Sequence, residues 1–435
     1  MRGQLPFRFS QNASAMARLT TIELTGYALR ELKDGGLEWA INLDKGLRHL
    51  PQIFWENGRG WDEVNVWALR QVEDGADYET VKSLMKALQR YANFLELNDY
   101  DWRHFPQRKE DQVLRAFRKS LMSSIEDGTY ASSTASSTMY AVIRFYNFAK
   151  DNNLISPNAP LWSAEKKIRH FIDARGFARA MVRDGTDLAI PLRARIGNGV
   201  EDGLLPLSAK DAKELMKFSS QKNTIELHLM LAIGMFTGAR VGTVITLTGQ
   251  AIQGAVEHPV ISDLYLIRVG PGTAVRTKFN VSGDLEVPKQ LLLDLKKYLF
   301  STRRLLRLAK NASASRDTLF LNRYGRPYSV ATIDSLVSQM RKRAINEGLT
   351  EFKNFVFHET RATFGTARAS VLLNIGLSRS EAVDQVRTAM FHKDESSTLR
   401  YIKFVDKASQ KSDAANRFYE ETVGLRNEDW NALGK

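Results

Sequence analysis

The 435-residue chain contains no cysteine. Disulfide bonds, thiolate metal sites and cysteine nucleophiles are therefore excluded. Long apolar runs are also missing, since the longest, Leu229 to Phe236, falls far short of the ~20 residues that a bilayer span requires. The first residues do not lead into the apolar core of a signal peptide. These absences predict an intracellular, cytoplasmic protein with no membrane partner.

Acidic residues are scarce relative to basic ones. The chain carries 62 Lys and Arg against 49 Asp and Glu, which gives a formal net charge of +13. A surplus of this size favours a polyanionic partner, with nucleic acid ahead of an anionic membrane surface. The chain is long enough for two or three domains.

Several familiar enzyme signatures are absent as well. The segment His358-Glu359-Thr360-Arg361-Ala362 lacks the second histidine of a zinc protease. The glycines before Lys278 stand in the wrong register for a phosphate-binding P-loop, and no G-x-S-x-G elbow occurs. No residue pattern requires a metal or a nucleotide, so we expect no cofactor.

What is present is an H-x-x-R box in a segment with helical apolar spacing, residues 357–369. In a helix, His358 and Arg361 share one face. An arginine fork binds two phosphate oxygens, while a histidine donates to a third or accepts a proton near neutral pH. The box predicts a phosphate-binding surface, with a solvated helix face as the alternative.

Four further residues extend this pattern. Arg240 follows the small residues of Thr237-Gly238-Ala239 and precedes a helix-ready run, which predicts a tight turn. Lys278 lies in a predicted hairpin, and His392 precedes Tyr401 by nine residues. A tyrosine phenol has a pKa of about 10, so a nucleophilic tyrosine needs a cationic site or a base.

In this order, the residues resemble the tyrosine recombinase, or phage integrase, family over roughly the C-terminal half of the chain. The family pattern has a Thr-Gly-x-Arg box, a hairpin lysine, an H-x-x-R box, a second histidine and a tyrosine. The chain places Arg240, Lys278, His358, Arg361, His392 and Tyr401 at these positions.

Three departures from the family pattern are visible. Thr243 stands where the family usually has an acidic residue, and Phe391 stands where a glycine usually precedes the second histidine. The interval from Arg361 to His392 is longer than usual for the family, which suggests an insertion around residues 376–381.

The resemblance implies a role for each residue. Arg240 and Arg361 clamp the phosphate, with hydrogen bonds from His392 and His358. Tyr401 is the nucleophile, His358 is the candidate base, and Lys278 is the proton donor to the leaving hydroxyl. Arg276 and Lys353 are the substitutes for Lys278.

The resemblance implies a site-specific DNA recombinase that acts through a 3′-phosphotyrosine and a Holliday junction without metal or ATP. Its partners are double-stranded DNA with specific recombination sites, three further copies in a homotetramer, and accessory DNA-bending or directionality proteins. Such an enzyme is associated with a bacterial nucleoid. The alternatives are a telomere resolvase or type IB topoisomerase, and an inactive DNA-binding regulatory or structural protein of the same fold.

The predicted fold is mainly α with a small antiparallel β-sheet, in which a helical core-type DNA-binding domain precedes the catalytic domain. We expect an N-terminal extension for assembly or accessory DNA binding at residues 1–63, followed by the helical domain at 64–155. A basic linker at 156–206 then leads to the catalytic domain at 207–424 and a tail at 425–435.

Finer predictions concern individual segments. The hydroxyl-rich tract 132–138 is expected to cap a helix and contact phosphates. The basic residues of 159–200 are expected to contact the DNA backbone, with a solvated helix face over 166–183 as the alternative. Residues 274–278 and 285–287 are expected to pair as a hairpin with Lys278 at the end of its first strand. Single helices are predicted over 78–97, 289–310, 330–346 and 409–423, the last of which would dock on a neighbouring protomer.

Overall fold

The computed structural model describes residues 16–24, 27–31, 36–41, 48–172, 178–192, 199–200, 203–310 and 317–406. The chain divides into two compact units, Met1–His170 with Ala180–Ala194, and Phe171–Arg179 with Arg195–Lys435. Helices dominate the described residues and the sheets are small, with four antiparallel strand pairs among them. The predicted fold class is confirmed.

The first unit joins short strands to a group of helices. Its first four strands pair in two separate sheets, β1 with β4 and β2 with β3. The bounds are β1 Arg18–Leu24, β2 Tyr27–Glu31, β3 Leu37–Ile41, β4 Arg48–Phe54, α1 Asp62–Glu73, α2 Tyr78–Leu97, α3 Val113–Glu126 and α4 Ser132–Asp151.

An aromatic core holds these helices together, and β4 packs onto it. Tyr91 of α2 and Tyr146 of α4 share a hydrogen bond of 2.6 Å between their hydroxyls. Asn65 of α1 binds both backbone groups of Ile53, accepting from its N–H and donating to its carbonyl. The pattern of buried apolar residues predicted these helices, with α2 matching its expected bounds.

Two predictions about helices in the first half of the chain are wrong, namely the cap at 132–138 and the helix face at 166–183. The hydroxyl-rich tract lies inside α4, whose N-cap residue is Ala131, and no side chain caps this helix. The basic segment 166–183 is not a helix face, because it contributes to strands β5 Ala164–Ile172 and β6 Ala178–Thr186, which form a two-stranded sheet. Its β-branched and aromatic residues favour strands.

The second unit alternates helices with one three-stranded sheet of order β7-β8-β9. Its bounds are α5 Ala209–Lys222, α6 Ile225–Thr237, α7 Val241–Thr246, α8 Gly249–Gln253, β7 Val256–Glu257, β8 Leu264–Val269, β9 Gly283–Pro288, α9 Lys289–Leu299, α10 Thr302–Ala309, α11 Val330–Asn346, α12 His358–Asn374, α13 Arg379–Ala389 and α14 395–406.

The hairpin of this unit differs from the prediction. The partner of β9 is β8, with Leu264 opposite Pro288 and Val269 opposite Gly283. Residues 274–277 form no strand, and Lys278 opens a short 3-10 turn that ends at Asn280. Left-handed glycines such as Gly270 (φ 94°) lead the chain out of β8, so the segment before Lys278 cannot continue the ladder.

The predicted helix over 289–310 is broken into α9 and α10. Ser301 lies between them, and its hydroxyl accepts the Arg304 N–H at 3.3 Å. A hydroxyl at this position satisfies a backbone donor and starts a new helix. The predicted helix 409–423 lies outside the described residues. No helix within the described ranges is long and apolar enough to cross a membrane.

Candidate active site

Arg240 lies in a tight turn between two helices, as predicted. Thr237 ends α6, and its hydroxyl accepts the Ala239 N–H at 3.2 Å. Gly238 adopts the left-handed conformation with φ 67°, and a Cβ there would lie 2.4 Å from a ring carbon of Phe364 in α12. Glycine is therefore required for conformation and for space. Arg240 is half-buried and is the N-cap residue of α7.

The guanidinium of Arg361 connects two distant backbone segments. Its side chain lies in α12 and the residue is only 1% exposed. Nη1 donates to the Gly238 carbonyl at 2.5 Å, and Nη2 donates to the Met390 carbonyl at 2.6 Å. These carbonyl dipoles compensate for the burial of a permanent positive charge. Arg361 thereby holds the turn before Arg240 and the turn before His392 against the same helix.

His358 begins α12, one turn before Arg361, and is half-buried. The spacing of three places both on one side of the helix, as the sequence predicted. Next to His358, burial raises the pKa of the Glu359 carboxyl to about 7, although the positive charge of Arg341 acts in the opposite direction. The helix start therefore carries a carboxyl group that titrates near neutral pH.

His392 and Tyr401 lie together in the interior. The Nδ1 atom of His392 is 2.9 Å from the Thr398 hydroxyl, and both side chains are buried. The His392 ring stacks on the Tyr401 ring, with centroids 5.9 Å apart and an interplanar angle of 24°. Tyr401 lies on α14 and is 0% exposed. Sequence reasoning found both rings but missed Thr398, whose single hydroxyl had no distinguishing pattern.

Gly365 in α12 makes room for the tyrosine. A Cβ at this position would lie 2.6 Å from Tyr401 Cε1 and 2.6 Å from Met390 Sδ. The backbone of α12 thus approaches the Tyr401 ring directly. Sequence reasoning missed this residue, although a glycine inside a helical pattern was an available signal.

Lys278 is the exposed member of the predicted set. Its ammonium lies 5.1 Å from the ring centroid of Phe279, which is itself 70% exposed. The Thr277 hydroxyl donates to the Val281 carbonyl at 2.6 Å and closes the turn that displays both side chains.

The Lys278 loop is attached to the helix that Arg240 starts. The backbone N–H of Arg276 donates to the Thr246 hydroxyl of α7 at 3.0 Å. Arg276 and Lys353, the two substitutes for Lys278, are both exposed. Arg361 thus contacts the turn before Arg240 and the turn before His392, and His392 stacks on Tyr401. The Lys278 loop is attached to α7, the helix that follows Arg240.

Three carboxylates elsewhere in this unit have oxygens within 4.8 Å of one another, namely Asp211, Glu214 and Glu351. All three lie at least partly open to solvent. Clusters of exposed acids are common without a metal, so we assign this group no role.

Structural relatives include the Tn1549 transposon integrase in complex with transposon right end DNA, at 12% identity and a TM-score of 0.49, covering 80% of this chain and 98% of that one. A lambda integrase dimer bound to a COC′ core site has 13% identity and a TM-score of 0.46, with coverage of 78% and 94%. A lambda integrase tetramer bound to a Holliday junction has 14% identity and a TM-score of 0.45, with coverage of 78% and 75%.

No curated protein matches the chain significantly. The sequence model of the phage integrase family matches residues 206–407, which include every residue of the candidate site. The region from residue 206 to residue 407 therefore belongs to the phage integrase, or tyrosine recombinase, family.

Proposed function

We propose that this protein is a site-specific DNA recombinase that cuts and rejoins DNA through a covalent 3′-phosphotyrosine at Tyr401. The observation that carries the proposal is the pair of hydrogen bonds from Arg361 to the carbonyls of Gly238 and Met390. These bonds bring the Arg240 turn and the His392 turn to one helix. A cationic cluster beside a tyrosine is suited to phosphoryl transfer.

The first step is attack of the Tyr401 phenol oxygen on a DNA phosphorus atom. A bond forms between phosphorus and the tyrosine oxygen, and the bond from phosphorus to the 5′-oxygen breaks. His358 accepts the phenol proton in this proposal. Arg240 and Arg361 bind the nonbridging oxygens, where negative charge grows in the transition state, and His392 adds a hydrogen bond.

The departing 5′-oxygen takes a proton from Lys278, whose exposed loop suits contact with DNA. In the second step a 5′-hydroxyl of a partner duplex attacks the phosphotyrosine and gives its proton to the neutral Lys278 amine. The phosphorus–tyrosine bond breaks, and the phenol oxygen recovers its proton from His358. The phosphodiester energy is conserved in the intermediate. Repetition on the second strand pair makes and resolves a Holliday junction without metal or ATP.

The burial of Tyr401 sets a condition on the first step. Because Tyr401 is 0% exposed, a phosphate reaches its oxygen only after α14 moves relative to α12. Such a movement would give DNA binding or protomer assembly control over the nucleophile.

The partners follow from the same chemistry. Strand exchange between two duplexes uses four active sites, so we propose a homotetramer on double-stranded DNA with specific sites, assisted by accessory DNA-bending or directionality proteins. The segment 409–423 would dock on a neighbouring protomer. The proposed location is the bacterial nucleoid.

The domain division remains part of this proposal, with 1–63 as an accessory segment, 64–155 as a DNA clamp, 156–206 as a basic linker, 207–424 as the catalytic domain and 425–435 as a tail. The net charge of +13 supports a DNA partner. In the first unit, Arg90 and Arg144 lie against aromatic rings, which holds these cations in place at its surface.

Two other functions use the same residues. A telomere resolvase or type IB topoisomerase would perform the same cleavage with a different rejoining step. An inactive DNA-binding regulatory or structural protein would bind with salt-dependent affinity and form no covalent product. The assembled tyrosine, histidine and arginine groups argue against the inactive protein.

The test is covalent capture on a nicked suicide DNA substrate without metal, followed by denaturing electrophoresis. Substrates come from DNA flanking the gene or from a random pool enriched by binding to the Tyr401→Phe variant. We expect a covalent band with the wild type and none with Tyr401→Phe. The matched control Tyr324→Phe changes an exposed tyrosine and should retain the band.

The outcomes separate the alternatives. A band that survives Tyr401→Phe would place the nucleophile elsewhere. Binding without any band on a confirmed target would favour the regulatory protein. Relaxation of supercoiled plasmid without a specific site would favour the topoisomerase.

A further inference from the structure

Phe391 and Gly283 form a close contact beside the candidate site. Phe391 lies in the turn after α13, and Gly283 is the first residue of β9. A Cβ on Gly283 would lie 2.2 Å from Cε1 and 2.6 Å from Cδ1 of the Phe391 ring. The ring therefore occupies the space that a side chain at residue 283 would fill.

At both positions the residue type is not the one that the backbone conformation favours. Phe391 has φ 51°, in the left-handed region that favours glycine. Gly283 lies in a strand and is not among the glycines with positive φ, so its backbone would accept a side chain. Strained residues persist where the surroundings over-determine them. Here the contact that holds the strained Phe391 backbone is that of its own ring with Gly283 of β9.

On one side, Phe391 is flanked by groups of the candidate site. The carbonyl of the preceding residue, Met390, accepts the hydrogen bond from Arg361. The following residue, His392, bonds to Thr398 and stacks on Tyr401. A displacement of the Phe391 backbone would therefore move an arginine acceptor and a histidine ring together.

On the other side, Gly283 marks the end of the loop that carries Lys278. The Lys278 turn is closed at Val281, two residues before Gly283. From Gly283 onward the chain is fixed by its pairing with β8. The Phe391 ring thus contacts the chain where the Lys278 loop re-enters the sheet.

From these contacts we propose that Phe391 is a positioning residue that holds the Lys278 loop in register with Arg361 and His392. The assignment of catalytic roles to these three residues rests on the proposed function. Phe391 acts through its neighbours, since its ring lies against the Gly283 backbone. The left-handed backbone of Phe391 places its ring against β9, and the absence of a side chain at Gly283 leaves room for that ring.

The test is a double-mutant cycle of Gly283→Ala, Phe391→Gly and both together, read as single-turnover cleavage of the suicide substrate at saturating protein. We expect Gly283→Ala to slow cleavage roughly tenfold, because its methyl group displaces the ring. In the Phe391→Gly background the same substitution should cost less than about twofold, because the ring is gone. DNA affinity should change less than cleavage.

A structural readout that needs no DNA accompanies the cycle. In ¹⁵N spectra of the histidine rings, Phe391→Gly should shift the His392 resonances and leave those of His49 and His104 unchanged. Asp99→Gly is the matched control, because Asp99 has the same left-handed backbone (φ 53°), is exposed and belongs to the first unit. It should alter neither the spectra nor cleavage.

Thermal unfolding of each variant ensures that the rates compare folded proteins. Unchanged cleavage and unchanged His392 resonances in Phe391→Gly would overturn the proposal, as would an equal cost of Gly283→Ala in both backgrounds. If the wild type forms no covalent product, the proposed function fails instead. The His392 resonances then decide whether Phe391 positions that ring.

Discussion

Gly365 and Tyr401 are in such close contact that the α12 backbone itself forms one wall of the tyrosine's surroundings. A Cβ on residue 365 would lie 2.6 Å from Tyr401 Cε1, and the thioether of Met390 lies equally close to that point. Close packing against the α12 backbone and Met390 therefore positions the Tyr401 ring, in addition to any polar contacts.

Gly365→Ala should destabilise the second unit by ~1–3 kcal/mol, because the added methyl group overpacks the space beside Tyr401 and Met390. Urea unfolding measures the change. Gly242→Ala in α7 is the control, since no atom outside its chain neighbours and its own helix backbone lies within 4 Å of its Cβ position. It should leave stability unchanged or raise it by up to about 1 kcal/mol. Equal effects of the two substitutions would show that the Tyr401 contact is not tight.

Thr246→Val should loosen the loop that carries Lys278. The substitution keeps the shape of the side chain but removes the hydroxyl that accepts the Arg276 N–H. Loss of a hydrogen bond of about 1 kcal/mol should speed hydrogen exchange at the Arg276 amide by roughly fivefold. Thr246→Ser retains the hydroxyl and should retain slow exchange. Fast exchange in both variants would mean that the methyl group, not the hydroxyl, holds the loop.

Glu226→Gln should weaken a buried ionic cluster. Glu226 in α6 is 0% exposed and binds Arg303 at 2.7 and 3.1 Å and Arg307 at 2.7 Å. Removing the charge leaves two arginines facing a neutral amide, at a cost of ~3 kcal/mol. The exposed pair of Lys222 and Glu347 supplies the control, because Glu347→Gln should cost less than ~1 kcal/mol.

The same carboxylate gives stability a pH dependence. Burial raises the pKa of Glu226, but the Arg303 hydrogen bond and the Arg307 charge outweigh it, so the pKa lies below its ordinary 4.5. The stabilisation is thus present above pH 4.5 and lost as the pH falls through the folded-state pKa. Urea unfolding should be measured between about pH 6 and about pH 3, the range in which carboxyl groups titrate. The free energy of unfolding should fall less for Glu226→Gln than for the wild type over this range. Parallel curves would contradict this account.

Glu359 should act in the opposite direction. Burial raises its pKa from 4.5 to about 7, so its folded form resists ionisation. The cost is absent below pH 4.5, develops as the pH rises, and is complete above about 7. Because the carboxyl is only partly buried, solvent screening limits the cost to ~1 kcal/mol.

Glu359→Gln should therefore be more stable than the wild type at about pH 8 and similar to it at about pH 4, because these values lie on either side of the range from 4.5 to about 7 over which the cost develops. Chemical unfolding at the two pH values measures the difference. Glu395→Gln, at an exposed carboxyl of α14, should show no such crossover. A wild type that is more stable than Glu359→Gln at high pH would show that the carboxylate is paired rather than strained.

Helix positions were predictable wherever apolar spacing and a capping hydroxyl coincided. Helix α11 matches its predicted bounds, and the Ser329 hydroxyl accepts the Thr332 N–H at its start. The break between α9 and α10 was missed because helical spacing continues across Ser301. The strand partner of β9 was missed because alternation identifies a strand but not its partner.

The candidate residues could be predicted from the sequence, but the groups that hold them in position could not. The carbonyls that Arg361 binds belong to Gly238 and Met390, and a backbone carbonyl carries no sequence signal. The contact of Phe391 with Gly283 was equally hidden. The unusual residue at 391 was visible as a departure from the family, but only the structure gives its φ of 51° and the strand it touches.

The two acceptors of Arg361 lie 123 residues before it and 29 residues after it in the chain. During synthesis from the N-terminus, the first acceptor is available when Arg361 appears, but the second is made only later. A nascent or prematurely terminated chain that stops before Met390 would carry both arginines and lack His392 and Tyr401. Such a chain would lack the Met390 carbonyl, so the Nη2 atom of Arg361 would remain without this acceptor and the two turns could not be held against one helix.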